Sequence, residues 1–148
     1  HEGLLVATET GITELAWDDF DPIALMTASP QYLVAGPSEN YSNFEEFVTY
    51  AQANPGEISI GVTLGGVPHL HAAMIEQAFD LQLNYVGYEG TGERVRAMVG
   101  GNLDLAIGDI SSSKQFVDNG DLVFLAVGAL ERVADTAGRL YRAPSPGD

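Results

Sequence analysis

Residues 58–88 read ISIGVTLGGVPHLHAAMIEQAFDLQLNYVGY, and the alternation inside this stretch decides the fold. Ile58–Val62 is a short β-rich run, Thr63–Pro68 a glycine-containing loop, His69–Phe79 a helical stretch and Asn84–Tyr88 a second β-rich run. Strand, tight loop, helix and strand in that order make one βαβ unit. Leu70, Ala73 and Met74 are expected to face inward from the helix.

The same alternation continues on both sides. Upstream, Pro22–Thr27 and Tyr32–Ala35 read as strands split at Ser29-Pro30. Ser42-Asn43-Phe44-Glu45 reads as a capping box before Phe44, Phe47, Val48 and Ala51 at helical spacing, and Asn54-Pro55-Gly56 stops that helix. Downstream, Glu89–Gly92 is a tight loop and Glu93–Val99 a helix closed by Gly100-Gly101. Leu103–Gly108 reads as a strand, Ser111–Asn119 as a helix ended by Gly120, and Leu122–Gly128 as a last strand. Short connections between alternating strands and helices predict an α/β fold, a mainly parallel sheet with helices on both faces. The expected lobe covers residues 21–130. Residues 1–20 show no clear period, and 131–148 reads as a poorly ordered tail.

Composition narrows the function. The chain has 148 residues, 45% hydrophobic and 18% charged, which fits one globular core and excludes a chain disordered throughout. No Cys is present, so disulfides and thiolate metal sites are excluded. No apolar run is long enough to span a bilayer, and no basic segment followed by an apolar one opens the chain. The formal net charge is −15, and the first 93 residues hold fourteen acids and no Lys or Arg. Such a surface repels phosphate backbones, so nucleic acid is not an expected partner. Acid excess also suits a salty medium, where screening weakens self-repulsion; a generic solubility surface is the plainer reading.

In an open α/β sheet, ligands bind beyond the carboxyl ends of the strands. Two loops there feed directly into helices: Thr63-Leu64-Gly65-Gly66-Val67-Pro68-His69 and Tyr88-Glu89-Gly90-Thr91-Gly92. Glycines let a ligand approach the backbone, and free amides at a helix start favour an anion; the glycines also serve plain tight turns. His69 and His71, two apart at a helix start, diverge and are not expected to share a metal. Asp109 with Ser111, Ser112 and Ser113 reads as a helix cap rather than a nucleophile with its acid. Trp17 with Phe20 reads as core. Arg94 and Arg96 read as neutralisers of an anion, or Arg94 as a solvated residue beside Glu93.

Several segments, in order, carry a resemblance: Asp19-Phe20-Asp21-Pro22-Ile23, Tyr32-Leu33-Val34, Pro55-Gly56-Glu57-Ile58, Gly65-Gly66-Val67-Pro68-His69-Leu70, Val86-Gly87-Tyr88-Glu89-Gly90-Thr91-Gly92, Gly100-Gly101-Asn102-Leu103-Asp104 and Leu125-Ala126-Val127. From Glu2 to Arg132 the chain resembles the tripartite tricarboxylate transporter substrate-binding proteins, the TctC or Bug family. The resemblance implies one lobe of a type II periplasmic-binding-protein fold, without catalysis or cofactor. It implies a periplasmic receptor that takes a small carboxylate or amino-acid-like solute and delivers it to membrane permease subunits.

Carried over by position, the family's Gly-Ser-x-x-His loop falls on Gly65, Gly66, Val67, Pro68 and His69, just after Thr63. Its Tyr-x-Gly-Ser/Thr loop falls on Tyr88, Glu89, Gly90 and Thr91, and the next loop on Gly108, Asp109 and Ile110. The implied ligand-binding set is Thr63, Gly65, Gly66, Val67, His69, Tyr88, Gly90, Thr91 and Asp109, with no metal ligand. Gly66 stands where a hydroxyl residue is usual, and Glu93 where Pro is common. A full receptor of the family is much longer, so the chain is expected to be the second lobe. Two rival functions keep the same residues: a ligand-sensing domain feeding a signalling partner, and a small hydrolase using Asp109 and His69.

Overall fold

The computed structural model describes residues 7–21, 23–24, 30–37, 40–128 and 141–142. Six strands form one sheet: β1 (Tyr32–Ala35), β2 (Ser59–Val62), β3 (Asn84–Gly87), β4 (Leu105–Gly108), β5 (Val123–Val127) and β6 (Tyr141–Arg142), in the order β3-β2-β4-β1-β5-β6. Four helices connect them: α1 (Phe44–Ala53), α2 (Val67–Phe79), α3 (Thr91–Val99) and α4 (Ile110–Asp118). A single 3-10 turn, Trp17–Asp19, precedes the sheet.

β2 pairs parallel with β3 and β4, and β5 parallel with β6, while β1 runs antiparallel to both β4 and β5. The sheet is therefore mainly parallel with one reversed strand. That reversal is absent from a simple chain of crossovers. It arises because β1 and β2 are not neighbours: β4 lies between them, and the chain passes through α1 to begin β2 at the end where β1 finished.

Side chains alternate across the strands and supply two cores. Leu33, Ile60, Val62, Leu105 and Ile107 pack with Phe44, Phe47 and Ala51 of α1 and Ala72 of α2. Tyr32, Val34, Ala106 and Phe124 pack on the other face with Val95 and Met98 of α3. A register shift between Leu33 and Val34 against β5 lets the consecutive Leu125 and Ala126 both join the α1/α2 face. Helices thus cover both faces, as the alternation predicted.

Local details differ from the sequence reading. The capping box sits one residue later: Asn43 is the N-cap and accepts from Glu46 N at 2.9 Å, while Glu46 accepts from Ser42 N at 2.8 Å. The inward face of α2 also differs. Leu70 and Met74 are 48% and 53% exposed, and Ala72 is the buried position. Small Ala72 lets the helix lie close to the sheet, and Glu76 is drawn inward because it accepts from Leu83 N at 2.7 Å and Tyr85 Oη at 2.6 Å. Polar anchoring fixes the rotation that apolar count alone assigned elsewhere.

Phe20 is 49% exposed and not core, since both sheet faces are already taken by helices. The expected strand Pro22–Thr27 falls largely outside the described residues; Ile23 and Ala24, which are described, are not strand. The tail 131–148 lies outside them too, save for β6.

Candidate functional site

Adjacent parallel strands send their carboxyl-end loops to one edge of the sheet. In the order β3-β2-β4, these are the loops into α3, α2 and α4. Every residue of the sequence-derived set lies there: Thr63, Gly65, Gly66, Val67 and His69 after β2, Tyr88, Gly90 and Thr91 after β3, Asp109 after β4.

The three helix starts are not equivalent. Asp109 caps α4, accepting from Ser112 N at 2.9 Å and from the hydroxyls of Ser111 and Ser112. Burial pushes this carboxyl up, but the hydrogen bonds from Ser111 and Ser112 outweigh it, and it titrates below its ordinary value. Its oxygens are committed to the helix, so it is the cap that the sequence suggested. α2 and α3 begin instead at Gly66 and Gly90, both extended and without any side-chain cap. In α3 the first amide to find a helix carbonyl is that of Arg94, on Gly90 O at 3.4 Å. The amides of Thr91, Gly92 and Glu93 have no acceptor among the described residues. Unspent amides at a helix start carry partial positive charge and suit a carboxylate.

The loop into α2 is held differently from that expectation. Gly65 N donates to His69 Nδ1 at 3.1 Å and Gly66 N to Thr63 O at 2.9 Å, so two of its amides are already used. Pro68 has no amide proton to give. His69 is itself braced, its ring meeting Tyr85 edge-on at 5.1 Å, and Tyr85 donates to Glu76. Burial and the bond to Glu76 push the Tyr85 phenol upward. Glu76, Tyr85 and His69 thus form a chain that fixes Gly65, whose φ of 73° only glycine adopts readily.

Sequence reasoning missed how Arg94 is used. The solvated reading is overturned: Arg94 is 2% exposed. Its Nη1 donates to Thr63 Oγ1 at 2.8 Å and its Nη2 to Thr91 Oγ1 at 2.9 Å, joining the end of β2 to the start of α3. Burial pushes the guanidinium pKa down, and the charges of Asp109 and Glu93 push it up; the net direction is downward. The signal was Gly61, a glycine between the β-branched Ile60 and Val62 of a strand, which marks a close approach.

Among the described residues, no hydrogen bond joins His69 to Asp109 or to a serine. No three metal-ligating side chains are grouped among them, and no helix is long and apolar enough to cross a membrane.

Comparison with known proteins places this arrangement in context. Residues 6–137 match the family model described as the tripartite tricarboxylate transporter family receptor. A Pseudomonas sp. (strain P51) protein, named as the UPF0065 protein in the tcbD-tcbE intergenic region, is 28% identical over 115 residues, covering 77% of this chain and 34% of its own length. An R. palustris protein solved with adipate shares 26% identity and a TM-score of 0.66, over 70% of this chain and 35% of its own. The periplasmic binding protein BugD aligns with TM-score 0.66 and 25% identity, over 71% of this chain and 36% of its own. The chain spans about a third of the length of these relatives, 34%, 35% and 36%.

Proposed function

Because the chain belongs to the tripartite tricarboxylate transporter receptor family, we propose that it is the lobe of a periplasmic solute receptor that grips a small carboxylate for delivery to membrane permease subunits. The family and fold are those of solute-binding receptors rather than enzymes. One observation carries the assignment of the grip: α3 opens at Gly90 with three amides unspent, directly beside the loop of β2 and the hydroxyls of Thr63 and Thr91. A relative solved with adipate supports the ligand class. In such a receptor a second lobe covers the solute's other face, so this lobe by itself binds weakly.

A titration of the chain with adipate, followed through backbone amide resonances, tests the assignment. Shifts concentrated at Thr91, Gly92 and Glu93 are expected. Shifts confined to other loops, or none up to the solubility limit of adipate, would move the site elsewhere.

A further inference from the structure

Arg94 does more than strap α3 to the sheet. Among the described residues it is the sole charged side chain in the buried set, and no carboxylate oxygen lies within ion-pair distance of it. Its Nε–H has no acceptor among them. Nη1 and Nη2 each give one N–H to a threonine oxygen, Thr63 Oγ1 at 2.8 Å and Thr91 Oγ1 at 2.9 Å. A guanidinium has donors only, and a hydroxyl that accepts from it turns its own proton elsewhere. Neither threonine proton points at the guanidinium, so both hydroxyls keep a proton to donate beside a fixed positive charge. An acceptor-only anion meets both hydroxyls favourably. An ammonium has donors only and finds no acceptor in the two hydroxyl protons, and a carboxamide brings N–H donors where acceptors are wanted.

We propose that Arg94, acting through Thr63 and Thr91, makes this point of the cleft selective for an ionised carboxylate over a carboxamide or ammonium group. The proposal rests on the receptor reading above and narrows it. Arg94 is a positioning residue here, since it touches the hydroxyls and not the solute.

The test uses two probes of one shape, adipate and its neutral diamide adipamide, titrated into the full 148-residue chain with amide shifts at Thr91–Glu93 as readout. The wild type is expected to favour adipate by about tenfold or more, the scale of charge-assisted hydrogen bonds. Arg94→Met should abolish that preference. Arg94→Lys keeps the charge and the aliphatic stem, guards against loss of the fold, and should fall between the two because one ammonium cannot span both hydroxyls. Thr91→Val should weaken adipate in the wild-type background and change little in Arg94→Met. A mere strap would alter melting temperature while leaving the adipate-to-adipamide ratio intact, and an unchanged ratio in both Arg94 variants overturns the proposal alone. A wild type in which adipate moves none of these amides overturns the receptor reading and this proposal with it.

Discussion

Arg94 lies in the space that Gly61 leaves open: a Cβ on Gly61 would stand 3.1 Å from both Cγ and Cδ of Arg94 and 2.5 Å from Cδ2 of Leu103. The glycine of β2 thus admits the side chain that reaches Thr63 at the end of the same strand. A strand glycine weakens β propensity, and here that local cost is offset by the room it makes for a buried guanidinium.

Gly61→Ala should therefore destabilise the fold by about 1–3 kcal/mol, the usual range for overpacking a core. Chemical denaturation measures it. An unchanged midpoint would mean that Leu103 and Arg94 have slack to move aside.

Two of the site glycines, Gly90 and Gly65, should respond differently. Gly90 has a φ of −146° and nothing within 4 Å of an added Cβ, so Gly90→Ala should leave stability within about 0.5 kcal/mol of wild type. Gly65 has a φ of 73°, and Gly65→Ala should lose about 1–2 kcal/mol through the left-handed backbone. Thermal melts of both variants separate the cases. At Gly90, a larger side chain such as Leu should impair adipate binding while the melt stays put.

His69→Phe keeps a ring against Tyr85 but removes the acceptor for Gly65 N–H. The expectation is a loss of about 1 kcal/mol and faster amide hydrogen exchange at Gly65. Unaltered exchange at Gly65 would show that the loop holds its shape without the imidazole.

Acid should remove two helix caps. The Ser42 backbone amide foremost, then the Ser42 hydroxyl and Asn43, hold Glu46 below its ordinary 4.5. Asp109 lies below its ordinary 3.8 because the Ser111 and Ser112 bonds outweigh burial. Folded values below unfolded ones mean that the ionised form favours folding. This stability is present above the unfolded values and is lost as pH falls through the folded ones. Glu46→Gln and Asp109→Asn should each lower the neutral-pH melting temperature and flatten its decline between about pH 5 and pH 2. Acid profiles parallel to wild type in both variants would count against the linkage.

Sodium chloride should raise the melting temperature up to about molar concentration. Fourteen acids without a Lys or Arg in the first 93 residues repel one another, and ions screen that repulsion. A flat or falling series would remove the salt-adapted reading.

Part of the site was legible because it is local. Gly66 and Gly90 stand where a capping side chain would otherwise be, and Asp109 before three serines is a cap on sight. The spending of Gly65 N on His69 was not legible, because it needs the loop to fold back by a path that spacing does not reveal. The burial of Arg94 was not legible for a related reason. Its charge argues for solvent, and only a distant glycine argues for burial.

By itself the sequence determined the order of strands and helices from Tyr32 to Val127, their boundaries to within a few residues, the two-sided burial of the sheet and the loops at its carboxyl edge. Those follow from periodicity, caps and turn residues, which act between near neighbours. The tertiary structure alone decided that β1 runs antiparallel between β4 and β5, that α2 turns Ala72 and Glu76 inward rather than Leu70 and Met74, and that Arg94 bridges Thr63 and Thr91. The β1 pairings and the Arg94–Thr63 bond join residues far apart in the chain, Thr63 being 31 residues from Arg94, while the turn of α2 is fixed across the next loop by Leu83 and Tyr85. Such pairings are set by which surfaces meet once the sheet has closed, and no local pattern encodes them.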